Sequence, residues 1–383
     1  MSWTTLKKLA VVAAITIATA AAASSKKNLL QVGTNEPLDV VVHSGLSRDD
    51  FVSYPDASYV AVHFSNFSLP EGDLVVVRSP NSEVAHFYTG KGRDNRGDFI
   101  ASIVPGNTAI VQYFSASGVT SSSSPSSPSI AYTISGFSRG FPSKQDESIC
   151  GNDDSVPAKC FASGSSLFDS LPAAYQKSRS VARLFINAEW LCTGWLAGSE
   201  GHLITNHHCI TEASEAAVID IEFDAESASC TDQCKVQFGC AGKIVATTST
   251  LITNNEEFDY ALIKLPASAD VSAYSYLQLR AAGPALNEQI YIPQHPAGYA
   301  KRVSSVIDGG KNATIVSLHA ASGCGSNEVF YAADTQGGSS GSPVLAASDN
   351  KVVALHHCGF GCDGNTAVDI TDVIADLAKK NIS

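Results

Sequence analysis

From Pro37 onward the chain is written in short runs of β-branched and aromatic residues separated by Gly, Pro and Asn, and this punctuation constrains the fold more than any other feature. The runs "PLDVVVHSG", "SYVAVHFSNF", "GDLVVVRSP", "FIASIVPG", "TAIVQYFSAS" and "IAYTISGFSRG" lie between Pro37 and Gly140. They are too short for helices and rich in side chains that pack on a pleated surface, so their spacing predicts a small β-sandwich. The stretch "SSSSPSSPS", Ser121 to Ser129, has the composition of a linker. Because the strand-like "IAYTISGF" follows it, we expect a mobile loop inside the sandwich instead. The domain boundary is expected in "RGFPSKQDESICGNDD", Arg139 to Asp154, where cysteines begin.

Beyond that boundary "SVARLFIN", "LCTGWLAG", "HLITNHHC", "VIDIEF", "GKIVATTS", "DYALIKL", "EQIYIPQ", "NATIVSL", "EVFYAA", "GSPVLAA" and "KVVALHH" continue the strand pattern. Roughly a dozen strands at such spacing suit two packed barrels or a sandwich. The period changes only in "ITDVIADLAKKN", where Ile370, Val373, Ile374 and Leu377 form one face of a terminal amphipathic helix. The expected class is all-β. The expected division is residues 1–23, a leader; 24–142, a β-sandwich and possible pro-domain; and 143–383, the chemistry-bearing domain.

The leader reading rests on Lys7 and Lys8 ahead of an apolar run from Leu9 to Ala23 that ends in small residues. That is the pattern of a secretory signal peptide, and the run is shorter than the ~18–20 apolar residues a membrane span needs. Export makes the ten cysteines, all at or after Cys150, readable as disulfides. It also makes Asn66, Asn312 and Asn381, each in an Asn-X-Ser/Thr sequon, candidate glycosylation sites. A net charge of −12 without a clustered basic surface argues against nucleic acid as a partner. The expected protein is extracellular and monomeric, with no membrane partner.

The chemistry concentrates in three places. In "DTQGGSSGSPV", Asp334 to Val344, glycines flank Ser340 and allow backbone N–H groups to converge on one point. A serine hydroxyl is a poor nucleophile without an adjacent base. The chain supplies His208 at the end of "HLITNHHC" and Asp259 at the start of "DYALIKL". The order His, Asp, Ser is one of the known triad arrangements.

The stretches "CTGWL", "TNHHC", "DYALIKL" and "GGSSGSPV" resemble, in order, the motifs of chymotrypsin-fold serine proteases. "CGNDDSVPAKC", the double His before Cys and "HPAGYAKR" resemble the secreted lysyl-endopeptidase-like branch of that family. The resemblance covers about residue 150 to 383. It implies a double β-barrel in which His208 is the general base, Asp259 its orienting carboxylate and Ser340 the nucleophile, with protein or peptide substrates and without metal or organic cofactor. The N–H groups of Gly338 and Ser340 would form the oxyanion hole, and His207 would be a structural neighbour. It further implies a Cys192–Cys209 disulfide, Cys150 paired with Cys324, and Cys160 paired with Cys230, Cys234 or Cys240. Cys358 with Cys362 is a plausible short pair.

Ser339 stands where better-known members carry an aspartate that receives a new N-terminus after cleavage. The loop of Ser340 must therefore be ordered in another way, and removal of the N-terminal domain would relieve blockage. Specificity is open between two readings. Asp334, six residues before Ser340, implies with Thr335 a pocket for Lys or Arg, whereas His356 resembles glutamate-specific relatives in which an imidazole binds an acidic side chain. Two rivals differ in class: a metal-binding module using His207, His208, His356 and His357, and an inactive homologue acting as a binding protein.

Overall fold

The computed structural model describes residues 29–116, 129–142, 149, 151–322 and 324–382. The expected signal peptide, most of the Ser/Pro stretch and Cys150 lie outside the described residues. The chain divides into two units, one containing residues 32–144 and the other residues 25–31 and 145–383.

In the first unit, the alternation of apolar and polar residues produces two antiparallel sheets that bury one common core. One sheet orders Gly33–His43, Ile130–Gly140, Tyr59–Ser65 and Phe99–Ile100, with Val104–Pro105 also on Tyr59–Ser65. The other orders Arg48–Ser53, Thr108–Phe114, Leu74–Arg78 and Ala85–Tyr88. Val60, Val62, Phe64, Val75, Val77, Val111, Tyr132 and Ile134 fill the space between them. Each such side chain contributes about 1.5–3 kcal/mol by leaving water. The Ile130–Gly140 strand sits inside the first sheet, so the chain after the Ser/Pro stretch rejoins the sandwich. Tyr59 and Phe67 are core residues, and Tyr54 packs beside Phe137.

The second unit holds two larger antiparallel sheets. The first orders Lys243–Ala246, Ile219–Phe223, Val181–Ile186, Trp190–Ala197, His202–Thr205, Tyr260–Lys264 and Thr250–Asn255, and encloses Leu184, Ile186, Leu196, Leu203, Ile221 and Ile263. The second orders Val156–Pro157, Arg302–Ser304, Ile290–Gln294, Pro343–Ala346, Val352–Gly359, Asn365–Asp369, Ser326–Tyr331 and Ile315–Ala321, around Ile292, Val329, Val344 and Val353. Trp195, Ile204, Leu262, Tyr291, Leu345 and Leu355 form a further core shared by both sheets. The result is an all-β, double-barrel, chymotrypsin-like fold. The Ile370–Lys379 helix closes it, capped by Asp369, whose carboxylate accepts the Thr371 N–H, and buries Ile370 and Val373 as its period requires.

One element departs from the expected division. Leu30–Gln31 pairs antiparallel with Trp190–Ala197 and so belongs to the first barrel sheet, not to the sandwich.

Candidate active site

Two adjacent strands bring His208 and Asp259 together. His202–Thr205 pairs with Tyr260–Lys264 so that Thr205 lies opposite Ala261, which places the end of one strand beside the start of the other. The Asn206 amide donates to the Asp259 carbonyl at 2.9 Å. Asp259 itself takes a positive φ of 35°, a conformation that short polar side chains tolerate best. Its carboxylate accepts the His208 backbone N–H at 2.9 Å and faces the His208 Nδ1 at 2.8 Å. Nδ1 therefore carries the proton, and the buried Nε2 has no hydrogen-bond partner among the described residues.

Ser340 comes from the other barrel, in the loop before Pro343–Ala346, and is 6% exposed. Its carbonyl accepts the Thr193 N–H at 2.8 Å and lies 4.0 Å from Sγ of Cys209, the residue after His208. The loop has many ties. Ser339 donates its N–H to Gln336, Ser342 donates its N–H and hydroxyl to Ser339, and Gln336 donates its N–H to the Ser339 hydroxyl. Order is thus built within the loop and needs no carboxylate at position 339. Thr193 contributes a further tie, its hydroxyl donating to the Gly338 carbonyl at 2.9 Å.

The backbone orientation follows from these ties. Ala297 N–H holds the Gly337 carbonyl at 2.7 Å, and Ser342 holds the Ser339 carbonyl. In a planar trans peptide the N–H points away from its carbonyl, so the N–H groups of Gly338 and Ser340 are turned from these partners. Gly338 has φ 93° and Gly341 φ 89°, and a Cβ on Gly341 would stand 2.1 Å from the Thr193 carbonyl. Only glycine permits this approach.

Sequence reasoning named His357 only as a rival metal ligand and did not single out Glu328. His357 Nδ1 is 3.2 Å from Asp259 Oδ2, the same oxygen that faces His208 Nδ1. His357 Nε2 stands 2.6 Å from Glu328 Oε1, close enough for an ion pair although the two are not aligned as a hydrogen bond. Burial alone would lower the His357 pKa, but the two carboxylates raise it to about 9. Burial pushes Asp259 up, and His208 and His357 outweigh it and hold the carboxyl well below its usual range. The doubled "HHC" was the available signal. On a strand, neighbouring residues point to opposite faces, so only one of His356 and His357 can face Asp259.

His356 is the other one. It is 3% exposed, its Nδ1 is 2.7 Å from the Tyr331 hydroxyl, and burial followed by the His357 charge lowers its pKa to about 3. Thr335 is buried and donates to Asn365 Oδ1 at 2.9 Å. Asp334 is half-buried, accepts the Asp154 N–H at 2.8 Å, and has its backbone carbonyl held by Gln294 and Ser304. Desolvation, joined by the charges of Asp153, Asp154 and Asp308, pushes its pKa up to about 6.

The disulfides join Cys192 to Cys209, Cys160 to Cys230, Cys234 to Cys240 and Cys324 to Cys358. The last corrects two expectations, Cys150 with Cys324 and Cys358 with Cys362. Antiparallel pairing sets Ser326–Tyr331 and Val352–Gly359 on either side of Asn365–Asp369, and this brings the Cys324 and Cys358 Cα atoms to 6.5 Å. Cys362 is itself disulfide-bonded, so no described cysteine is a free thiol. Among the described residues no group of three or more His, Cys, Asp or Glu is placed to hold a metal ion.

A family model described as a trypsin-like peptidase domain matches residues 192–355, the span that holds His208, Asp259 and Ser340. Secreted RxLR effector protein 73 of Plasmopara viticola is 39% identical over 335 residues, covering 85% of this chain and 80% of that protein. Among solved structures, the Rv3671c protease of M. tuberculosis in its inactive form is 15% identical, with 57% of this chain and 97% of that chain covered and a TM-score of 0.41. The serine endoprotease from Yersinia pestis is 16% identical, with 55% and 65% covered and a TM-score of 0.40. The chain therefore belongs to the family of secreted RxLR effector protein 73, and residues 192–355 make it a carrier of the trypsin-like peptidase domain.

Proposed function

We propose that this protein is a secreted serine endopeptidase that cleaves after Lys or Arg. The observation that carries the reading is the pair of His208 Nδ1 and Asp259 Oδ2 at 2.8 Å, which leaves Nε2 without a hydrogen-bond partner among the described residues, while Sγ of the next residue, Cys209, lies 4.0 Å from the Ser340 carbonyl oxygen. In the mechanism, His208 Nε2 takes the Ser340 hydroxyl proton as Oγ attacks a peptide carbonyl, and later returns it to the leaving amine. Asp259 fixes the tautomer and stabilises the imidazolium. The Gly338 and Ser340 N–H groups receive the oxyanion, each contributing about 3–4 kcal/mol to the transition state. A serine-directed fluorophosphonate should label the protein once, with the label lost in Ser340→Ala; labelling that persists in that variant would refute the assignment.

The basic preference rests on Asp334. It is a half-buried carboxylate among three others, with one backbone donor recorded, and a cationic side chain would relieve that repulsion. The alternative, selection of glutamate through His356, needs an imidazole able to carry charge, and its burial against Tyr331 opposes this. Digestion of a peptide library with mass-spectrometric readout separates the two. The lysyl-endopeptidase-like branch is the relation within the family that this reading favours.

A second reading is a catalytically inactive homologue that acts as a binding protein; the Plasmopara viticola relative is named a secreted effector, a name that specifies no peptidase activity. Absence of fluorophosphonate labelling in wild-type protein would select it. Secretion and glycosylation at Asn66, Asn312 and Asn381, all exposed, belong to the proposal.

A further inference from the structure

The Trp190–Ala197 strand has an edge that a second chain segment can occupy. At Trp190 and Leu191 one side is paired with Ile186 and Phe185, whereas pairing with His202–Thr205 on the other side begins only at Trp195. The open edge lies immediately before Cys192, which the disulfide ties to Cys209 beside His208. His208 is the group that protonates the departing amine, so this is the leaving-group flank of Ser340.

That edge is occupied by the chain itself. Leu30 lies opposite Leu191 and Gln31 opposite Trp190, antiparallel. Leu29 is 9% exposed and enters the core of the first barrel. Leu30 rests on the oxyanion loop: a Cβ on Gly337 would be 3.3 Å from Leu30 Cβ, and one on Gly338 would be 3.4 Å from Leu30 Cδ2. An extended peptide added to a sheet edge gains main-chain hydrogen bonds and a side-chain pocket, which is how a substrate chain docks.

We propose that Leu29–Gln31 is a built-in occupant of the leaving-group side of the cleft, excluding the part of a protein substrate that follows the scissile bond. The proposal rests on the reading of Ser340 as the nucleophile. It gives the expected blockage by the N-terminal region a location of three residues, distinct from the sandwich that follows them. Because the Ser340 loop is already ordered, displacing the segment would release activity without rebuilding the loop.

The test compares the full chain with Leu30→Asp and Leu30→Gly on two substrates sharing one acyl-side sequence. One ends in a small arylamide, and the other continues for four residues past the scissile bond. Both variants should raise kcat/KM on the extended peptide at least tenfold and change the arylamide less than twofold. A synthetic peptide of residues 26–33 should then inhibit the variants competitively on the extended peptide. Equal effects on both substrates, or none on the extended one, overturn the proposal. Leu30→Gly adds no charge, and its melting temperature guards against a folding defect. If fluorophosphonate labels no form, the peptidase reading fails separately. Hydrogen exchange at Trp190 and Leu191 then decides occupancy: faster exchange in Leu30→Gly supports it, and unchanged exchange overturns it.

Discussion

At the scale of single residues, Asp334 shows how position and environment combine. A carboxylate raised to about pH 6 by desolvation is protonated below that pH and charged above it. Recognition of Lys or Arg needs the charged form, so KM for a basic substrate should rise as pH falls through about 6. A bound cation lowers the same pKa, which sharpens the effect. Asp334→Asn should lose about 100-fold in kcat/KM on Lys and Arg substrates, the size expected when one partner of a desolvated charge pair is removed. Its KM should also lose the rise below about pH 6. The sign for stability is opposite: the raised pKa means that ionised Asp334 opposes folding above pH 6, so the variant should melt slightly higher at pH 8. A variant that keeps its basic preference would remove Asp334 from the pocket.

At the scale of elements, the strand Val352–Gly359 connects the two barrels electrostatically through His357, between Asp259 and Glu328. The His357 pKa of about 9 lies above the ordinary 6.5, so its stabilisation is fully present below about pH 6.5 and is lost as pH rises through 9. The difference corresponds to at most about 3 kcal/mol. Melting temperature should therefore fall between pH 7 and 10 in the wild type, and that fall should shrink by several degrees in His357→Asn. The same variant should lower kcat more than it changes KM, because it loosens Asp259 behind His208. An unchanged pH slope would show that His357 is neutral. This pair also marks where sequence reasoning stops. The strands, the terminal helix and the approach of His208 to Asp259 follow from local periodicity and strand order. The contact of His357 with Asp259 depends on which face a strand residue presents after folding, and Cys324 reaches Cys358 only through an intervening strand. The register of Leu30 on Leu191 was hidden for the same reason, since two residues carry too little pattern to declare a strand.

At the scale of the whole molecule, the two units differ in what holds them together. All ten cysteines fall at or after Cys150, so the unit spanning residues 32–144 is held by its hydrophobic core and hydrogen bonds without any disulfide. Among the described residues, the other unit carries bridges spanning 17, 70, 6 and 34 residues, and Cys362 is bonded as well. In the chain-entropy account, a loop of the first size contributes about 3 kcal/mol and one of the second about 4 kcal/mol. Reduction should therefore act on one unit only. Calorimetry of the full chain should show two transitions, and a reductant should lower one by roughly 10 °C or more while leaving the other within a degree or two. The shifted transition should be the one that loses fluorophosphonate labelling on heating, because Cys192–Cys209 anchors the turn carrying His208. If both transitions move together, or only one exists, the two cores do not unfold as separate units and the division at residue 144 is not a thermodynamic one.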